Sequence, residues 1–128
     1  MSRFDKYSPV DGGFRAPLNA AVPSGDVGKI IGVSLNGTGK VVYGAAAAVG
    51  IKGVICPVKA MNAGDPIDVM TDGEIVMATL NNGSALTAGT DYYATASAGN
   101  GDITATTTSN QYIGHTVEAT RLIVRVGR

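Results

Sequence analysis

Glycine spacing is the feature that most limits how this chain can fold. Eighteen glycines are spread along 128 residues, and many stand beside Asn, Asp or Ser. They divide the chain into segments of about five to eight residues, a length typical of strands in barrels and sandwiches. Even the Ala-rich run 45–50 lies between two glycines, so we expect a loop or a single helical turn there. The spacing therefore predicts an all-β fold, a small antiparallel β-barrel or sandwich.

The first half of the chain contains two candidate hairpins. One joins residues 29–35 to residues 40–44 through the turn sequence NGTG, and a further strand is expected within residues 50–58. In the second, PIDVM (66–70) and EIVMA (74–78) flank Thr-Asp-Gly. Asp-Gly between two apolar segments is a strong hairpin signal, so we expect these two segments to pair.

The second half continues with short strand-like segments. They are DYYATASA (91–98), ITATTT (103–108), QYIGHTVEA (111–119) and RLIVRVG (121–127), with GNGD (99–102) as a turn. In the last segment Leu122, Val124 and Val126 alternate with more polar positions, which indicates one buried and one exposed face. Adjacent strand residues point to opposite faces, so one of Tyr92 and Tyr93 should be core and the other surface.

The first 25 residues differ from the rest. They contain Pro9, Pro17 and Pro23, the pair Gly12-Gly13 and both phenylalanines of the chain, without sustained periodicity. We therefore expect an extended N-terminal arm over residues 1–25, followed by one β-barrel or sandwich domain over residues 26–128.

Charge and hydropathy exclude several kinds of partner. The formal net charge is zero and only 16% of residues are charged, so the electrostatic drive for binding nucleic acid is missing. The N-terminus lacks the apolar region of a signal peptide, and no window is long and apolar enough to span a bilayer. We expect a soluble protein made in a cytoplasm that binds neither nucleic acid nor membrane, and a surface of low charge that tends to associate.

The sequence offers little catalytic or metal-binding chemistry. One histidine, His115, and one cysteine, Cys56, cannot supply a zinc site without two carboxylates from elsewhere, and no G-x-S-x-G nucleophile motif is present. The stretch GVSLNGTGK (32–40) departs from the phosphate-binding motif and has no helix after it. We expect no enzyme, no cofactor, no metal site, a histidine with a structural role in a sheet, and a cysteine that packs as a small hydrophobe.

Three runs of the sequence resemble a known family. They are AGDPIDVMTDGEIVMA (63–78), LTAGTDYYATASAGNGDITAT (86–106), and YIGHTVEA (112–119) with LIVRV (122–126). An Ala-Gly-Asp turn, a strand ending in Asp-Gly, a Tyr-bearing strand and a terminal Val-rich strand are similar to those of the small capsid decoration, or cement, proteins of tailed bacteriophages. The resemblance covers about residues 28–127. The AAAA segment and the absence of a long Gly-rich terminal tail depart from the pattern.

This resemblance implies a non-catalytic virion protein on the capsid exterior. It would bind the major capsid protein of an assembled shell, as a homotrimer at three-fold or quasi-three-fold axes, and stabilise the shell. The arm could order on binding by adding a strand to a capsid sheet. Its candidate capsid-binding residues are Arg3, Phe4, Lys6, Tyr7, Phe14 and Arg15.

Two alternatives stay open from the sequence. The first is a carbohydrate- or cell-surface-binding β-module of a phage tail or fibre, which exposed aromatic side chains beside polar loops would favour. The second, an enzyme, would require His115, Cys56 and carboxylates to converge in one cleft.

Overall fold

A computed structural model describes residues 12–45, 50–80, 82–95, 101–105 and 110–126. Apart from one 3-10 turn at Ser24–Asp26, the regular elements there are strands, so the predicted all-β fold is confirmed. The strands are β1 (Gly13–Pro17), β2 (Lys29–Leu35), β3 (Val41–Tyr43), β4 (Gly53–Ile55), β5 (Pro66–Met70), β6 (Asp72–Val76), β7 (Thr79–Leu80), β8 (Asp91–Thr95), β9 (Ile103–Thr104), β10 (Asn110–Thr116) and β11 (Arg121–Arg125).

These strands form two sheets. The first has the order β1-β5-β4-β2-β3, with β7 added beside β2, and the second has the order β6-β11-β10-β8-β9. All pairings are antiparallel except the parallel pairing of β2 with β7. This arrangement agrees with the predicted antiparallel barrel or sandwich.

The main core lies between the two sheets. Ile30 and Val54 of the first sheet pack in one cluster with Ile113, Leu122 and Val124 of the second. The alternation predicted for the last strand is confirmed, because Leu122, Val124 and Val126 are buried whereas Arg125 is exposed. The last strand therefore presents one face to the core, as a strand covered on one side should.

A second apolar cluster covers the other face of the first sheet. It contains Ile31, Val33 and Ile55 from the strands, together with Leu18 and Val22 from the segment that follows β1. Leu18 bridges to Val41, and Val22 bridges to Met61. This burial on both faces accounts for the nearly continuous apolar sequence of β2.

The predicted arm differs from the structure over residues 13–25. Gly13–Pro17 is a strand paired in register with β5, and Leu18 and Val22 are core residues at 1% exposure. The prolines and the lack of periodicity suggested an arm, but Pro17 pairs with Pro66 at the end of an edge strand, where a missing N–H is tolerated. Residues 1–11 lie outside the described part of the chain.

The hairpin predicted at residues 66–78 is wrong, although both of its strands exist. β5 pairs with β1 and β4, whereas β6 pairs with β11 in the other sheet. Only Thr71 separates the two strands, so Asp72 and Gly73 belong to β6 and form no turn. Gly73 leaves room for the Met70 side chain, which a Cβ at that position would meet at 3.2 Å.

The other strand predictions hold where they can be compared. β2 and β3 form the predicted hairpin, with Asn36 accepting hydrogen bonds from the amides of Thr38 and Lys40 across the turn. β8 pairs with β9, and β10 pairs with β11. Residues 46–49, the first half of the predicted turn (99–100) and residues 106–109 lie outside the described residues.

Candidate functional site

The predicted binding residues Phe14 and Arg15 lie on β1, the edge strand of the first sheet. They border an open groove of about 330 Å³ whose lining is formed by β1 and β5. The lining residues are Gly12, Gly13, Phe14, Arg15, Asp68, Val69 and Met70. A Cβ at Gly13 would clash with the Val69 carbonyl, so glycine permits the close approach of the two strands beneath this groove.

The outer edge of β1 has backbone groups that β5 does not bind. The Thr71 amide donates to the Gly12 carbonyl at 2.8 Å, and the Leu18 amide donates to the Asp65 carbonyl at 2.9 Å. In an antiparallel pair, hydrogen-bonded positions alternate along the strand, so the backbone groups of Gly13 and Arg15 face away from β5. Within the described part of the chain, no strand pairs with this edge.

Arg15 is held on the surface by an ion pair. Its Nε donates to Asp68 Oδ1 at 2.7 Å, and Nη2 donates to Oδ2 at 3.3 Å, with both side chains mostly exposed. The hydrogen bond lowers the pKa of Asp68 and raises the pKa of Arg15. Water screens such a pair, so it positions the guanidinium with little gain in stability. The guanidinium is accessible to a carboxylate of a partner.

Phe14 packs against the protein's own sheet. Its side chain is partly buried and packs against the apolar cluster that contains Leu18 and Val22. It therefore secures the base of the N-terminal segment against the sheet. The other predicted arm residues, Arg3, Phe4, Lys6 and Tyr7, lie outside the described residues.

A second surface is the outer face of the second sheet. Tyr93 and Tyr112 are half-buried there, in an edge-to-face contact with ring centroids 5.6 Å apart and planes at 73°. Tyr92 is buried at 3% exposure, so the two adjacent tyrosines divide between core and surface as predicted. The Tyr112 hydroxyl lies 3.3 Å from His115 Nδ1. Desolvation, followed by the charge of Asp91, raises the pKa of Tyr112.

The groups with possible catalytic or metal-binding chemistry lie on different sheets. His115 is on β10 of the second sheet, whereas Cys56 follows β4 of the first and packs partly buried against the main core. Burial raises the pKa of the Cys56 thiol, which favours the unreactive protonated form. Among the described residues, no three His, Cys, Asp or Glu side chains are grouped as metal ligands would be. Within the same residues, no helix has the length and apolar character needed to cross a membrane.

Sequence reasoning missed one group of surface residues, the exposed large hydrophobic side chains. They are Val27, Val58, Val76, Met77 and Val117. Met77 was expected inside a strand, yet β6 ends at Val76 and Met77 has a φ of 59°. No local sequence signal marks a left-handed methionine, because that region favours Gly, Asn and Asp.

Comparison with solved structures finds chains that share this fold. A chain from a structure of Mycobacterium phage Patience superimposes with a TM-score of 0.73, over 97% of this chain and 95% of that chain. The two sequences are 22% identical, so the likeness shows a shared fold. No protein-family model and no curated protein matches the sequence.

Proposed function

We propose that this chain is a structural protein of a tailed phage that binds the outer surface of the assembled capsid and stabilises it. The observation that carries the proposal is the fold shared with a phage protein over nearly the full length of both chains. The sequence resemblance to capsid decoration proteins supports the same conclusion. On this proposal the protein is not an enzyme, resides on the exterior of the virion and acts as a homotrimer at three-fold or quasi-three-fold axes.

The edge of the first sheet is the proposed contact with the major capsid protein. Gly13 and Arg15 present backbone groups there, and an extended capsid segment could bind them as an added strand. Arg15 beside Asp68 offers both a cation and an anion at the groove. Residues 1–11, which include Arg3, Phe4, Lys6 and Tyr7, precede β1 in the sequence, and we expect them to extend the contact.

The proposal is tested with capsids assembled without this protein. Purified protein is added, and binding and resistance of the shell to heat are measured. We expect saturable binding and a higher shell melting temperature. Absence of binding, or binding that leaves shell stability unchanged, would contradict the proposal.

Two variants locate the contact on the proposed edge. Deletion of residues 1–11 leaves β1 and the core residues Leu18 and Val22 in place, whereas deletion to residue 25 would remove them. Arg15→Glu places a like charge beside Asp68, and Arg125→Glu on β11 is the matched control on the other sheet. We expect the deletion and Arg15→Glu to weaken shell binding about tenfold or more and the control to leave it unchanged. Equal binding by all three variants would place the contact elsewhere.

A carbohydrate-binding module of a phage tail or fibre is the second candidate. The half-buried pair Tyr93 and Tyr112 beside His115 is the observation that favours it, since exposed aromatic rings bind sugars. The edge-to-face geometry offers a ring edge and a tilted face in place of a flat platform. A glycan array separates the candidates: binding that Tyr112→Ala abolishes, without any binding to shells, would favour the carbohydrate module.

A further inference from the structure

All exposed large hydrophobic side chains of the described residues lie at one end of the molecule. They are Val27, Val58, Val76, Met77 and Val117, here called the apolar end. Val58 and Met77 are the most accessible, at 87% and 79% exposure. Single exposed apolar residues are ordinary, but a group of them on neighbouring loops marks an interaction surface.

Backbone hydrogen bonds place these loops side by side. The Met77 amide donates to the Thr120 carbonyl at 2.8 Å, which joins the end of β6 to the turn that contains Val117. The Thr79 amide donates to the Gly28 carbonyl at 3.1 Å, and the Gly28 amide donates to the Pro57 carbonyl at 2.8 Å. These bonds therefore order the side chains across this end, with Val117 on one side of Met77 and Val27 and Val58 on the other.

Met77 occupies an unfavourable backbone conformation at the centre of this surface. Its φ of 59° lies in the left-handed region, and it is the one non-glycine residue with positive φ among the described residues. A residue with a Cβ is disfavoured there, and the exposed side chain gains no packing within the chain.

The half of the apolar end near Val117 carries net negative charge. Arg121 Nε donates to Glu118 Oε1 at 2.7 Å, and its Nη1 lies 3.4 Å from Glu74 Oε2. One guanidinium thus faces two carboxylates beside Val76 and Val117. With two carboxylates and one guanidinium, this half has an excess of negative charge.

The half near Val27 and Val58 carries net positive charge. Lys59 directly follows Val58 and is exposed, and Lys29 begins β2 beside Thr79. Asp26, the carboxylate nearby in sequence, accepts a hydrogen bond from the Tyr43 hydroxyl at 2.8 Å. Two cations and one anion thus leave this half with a net positive charge. The two halves of the apolar end therefore have opposite charge, which is the complementarity that a second copy of the same surface can satisfy.

We propose that the apolar end binds a second copy of this chain, head to tail, with Met77 at the centre of the contact. The basic half of one copy faces the acidic half of the next, and such a heterologous contact forms a ring where its rotation closes. This inference deepens the proposed function and rests on it for the ring of three. The shell then binds elsewhere, at the edge formed by β1.

Substitutions at Met77 test the centre of the contact. Asp and Gly both tolerate the left-handed region, so Met77→Asp and Met77→Gly should keep or raise the thermal midpoint of the monomer. Both should weaken self-association about thirtyfold or more, as measured by sedimentation over a concentration series. Gly37→Asp adds the same charge in open space on the turn at the opposite end of β2, and it should associate like the unmodified chain.

A charge exchange tests the pairing of the basic half of one copy with the acidic half of another. Lys59→Glu makes both halves acidic and Glu118→Lys makes both basic, so each should weaken association about fivefold to tenfold. The double variant exchanges the two signs and restores complementarity, so its association should return towards that of the unmodified chain. Additive loss in the double variant would overturn this pairing, and an unmodified chain whose largest species in sedimentation is a dimer would overturn the head-to-tail arrangement, because a two-fold contact closes at two copies.

The outcomes separate this inference from the proposed function. An unmodified chain that sediments as a monomer throughout, or Met77→Asp that associates as the unmodified chain does, overturns the inference even where shells are bound. Loss of association in Met77→Asp supports the inference, whether or not the unmodified chain binds shells. Failure of the unmodified chain to bind shells would count against the proposed function alone.

Discussion

The two sheets differ in how many of their faces are covered. The first sheet is buried on both faces, because the second sheet covers one and the segment with Leu18 and Val22 covers the other. The second sheet is buried on one face, and Tyr93, Tyr112 and His115 line the other at intermediate exposure. A sheet with two covered faces can meet partners only at its edges and ends, whereas a sheet with one open face offers a surface.

This difference has a local cause in the chain. After the edge strand β1, the chain crosses the outer face of the first sheet and places two apolar side chains on it before β2 begins. The second sheet receives no such segment within the described residues. Stability should therefore depend more on the outer layer of the first sheet than on the open face of the second.

The largest expected effect is at Leu18. Leu18→Ala leaves a cavity against the outer face of the first sheet and should lower the free energy of unfolding by about 2–5 kcal/mol. Ile123→Ala, on the half-exposed face of the second sheet, should cost about 1 kcal/mol, because less apolar area is lost. Urea unfolding measures both. Equal losses would show that the segment after β1 is not part of the core.

The next effect is at Gln111 of β10, which binds Ile51, two residues before β4 of the other sheet. Its Nε2 donates to the Ile51 carbonyl at 2.7 Å, and its Oε1 accepts from the Ile51 amide at 3.0 Å. Gln111→Ala leaves both backbone groups of the largely buried Ile51 without these partners and should cost about 1–3 kcal/mol in urea unfolding. Ser84→Ala, at an exposed loop position, is the control. A loss no larger than the control's would mean that water replaces the amide.

A smaller effect is expected for the tyrosine pair on the open face. The edge-to-face contact between Tyr93 and Tyr112 should give a coupling energy of about 0.5–1.5 kcal/mol. A double-mutant cycle with Tyr93→Ala, Tyr112→Ala and the double variant measures it. Purely additive losses would show that the rings contact each other without stabilising the sheet.

The smallest effect is at Arg15. Arg15→Gln removes the exposed ion pair with Asp68 and should change the melting temperature very little. The pKa of Asp68 is lowered in the folded state, so the contribution is present above the ordinary carboxylate range and is lost as pH falls through the lowered pKa. The difference between variant and unmodified chain should therefore shrink in acid and in high salt. A difference that grows in acid would contradict this assignment.

Strands were predictable from the sequence, but their partners were less so. Residues 29–35 and 121–125 have apolar patterns that depend only on local burial, and both form strands. Asp72-Gly73 gave a hairpin signal because a local dipeptide carries no information about Val124 and Arg125, the distant residues that pair with it. Phe14 was assigned to an arm because its packing against Leu18 and the sheet depends on tertiary contacts.

The surfaces were predictable only in part. Arg15 and Phe14 were singled out, and the structure places them beside one groove, but their ion pair and core packing could not be derived from sequence. Met77 escaped notice because its conformation is set by the hydrogen bond to Thr120, which lies in a turn 43 positions along the chain. Low overall charge was the one sequence signal for an associating surface.

The single residue between β5 and β6 bears on how the molecule unfolds. Thr71 joins a strand of one sheet to a strand of the other, its amide donates to Gly12 and its carbonyl accepts from Val126. Neither strand can leave its sheet without pulling on the other, so the sheets should not open independently. Amide hydrogen exchange should then show one common slow rate for β4, β10 and β11, which is the behaviour of one cooperative unit built from two layers.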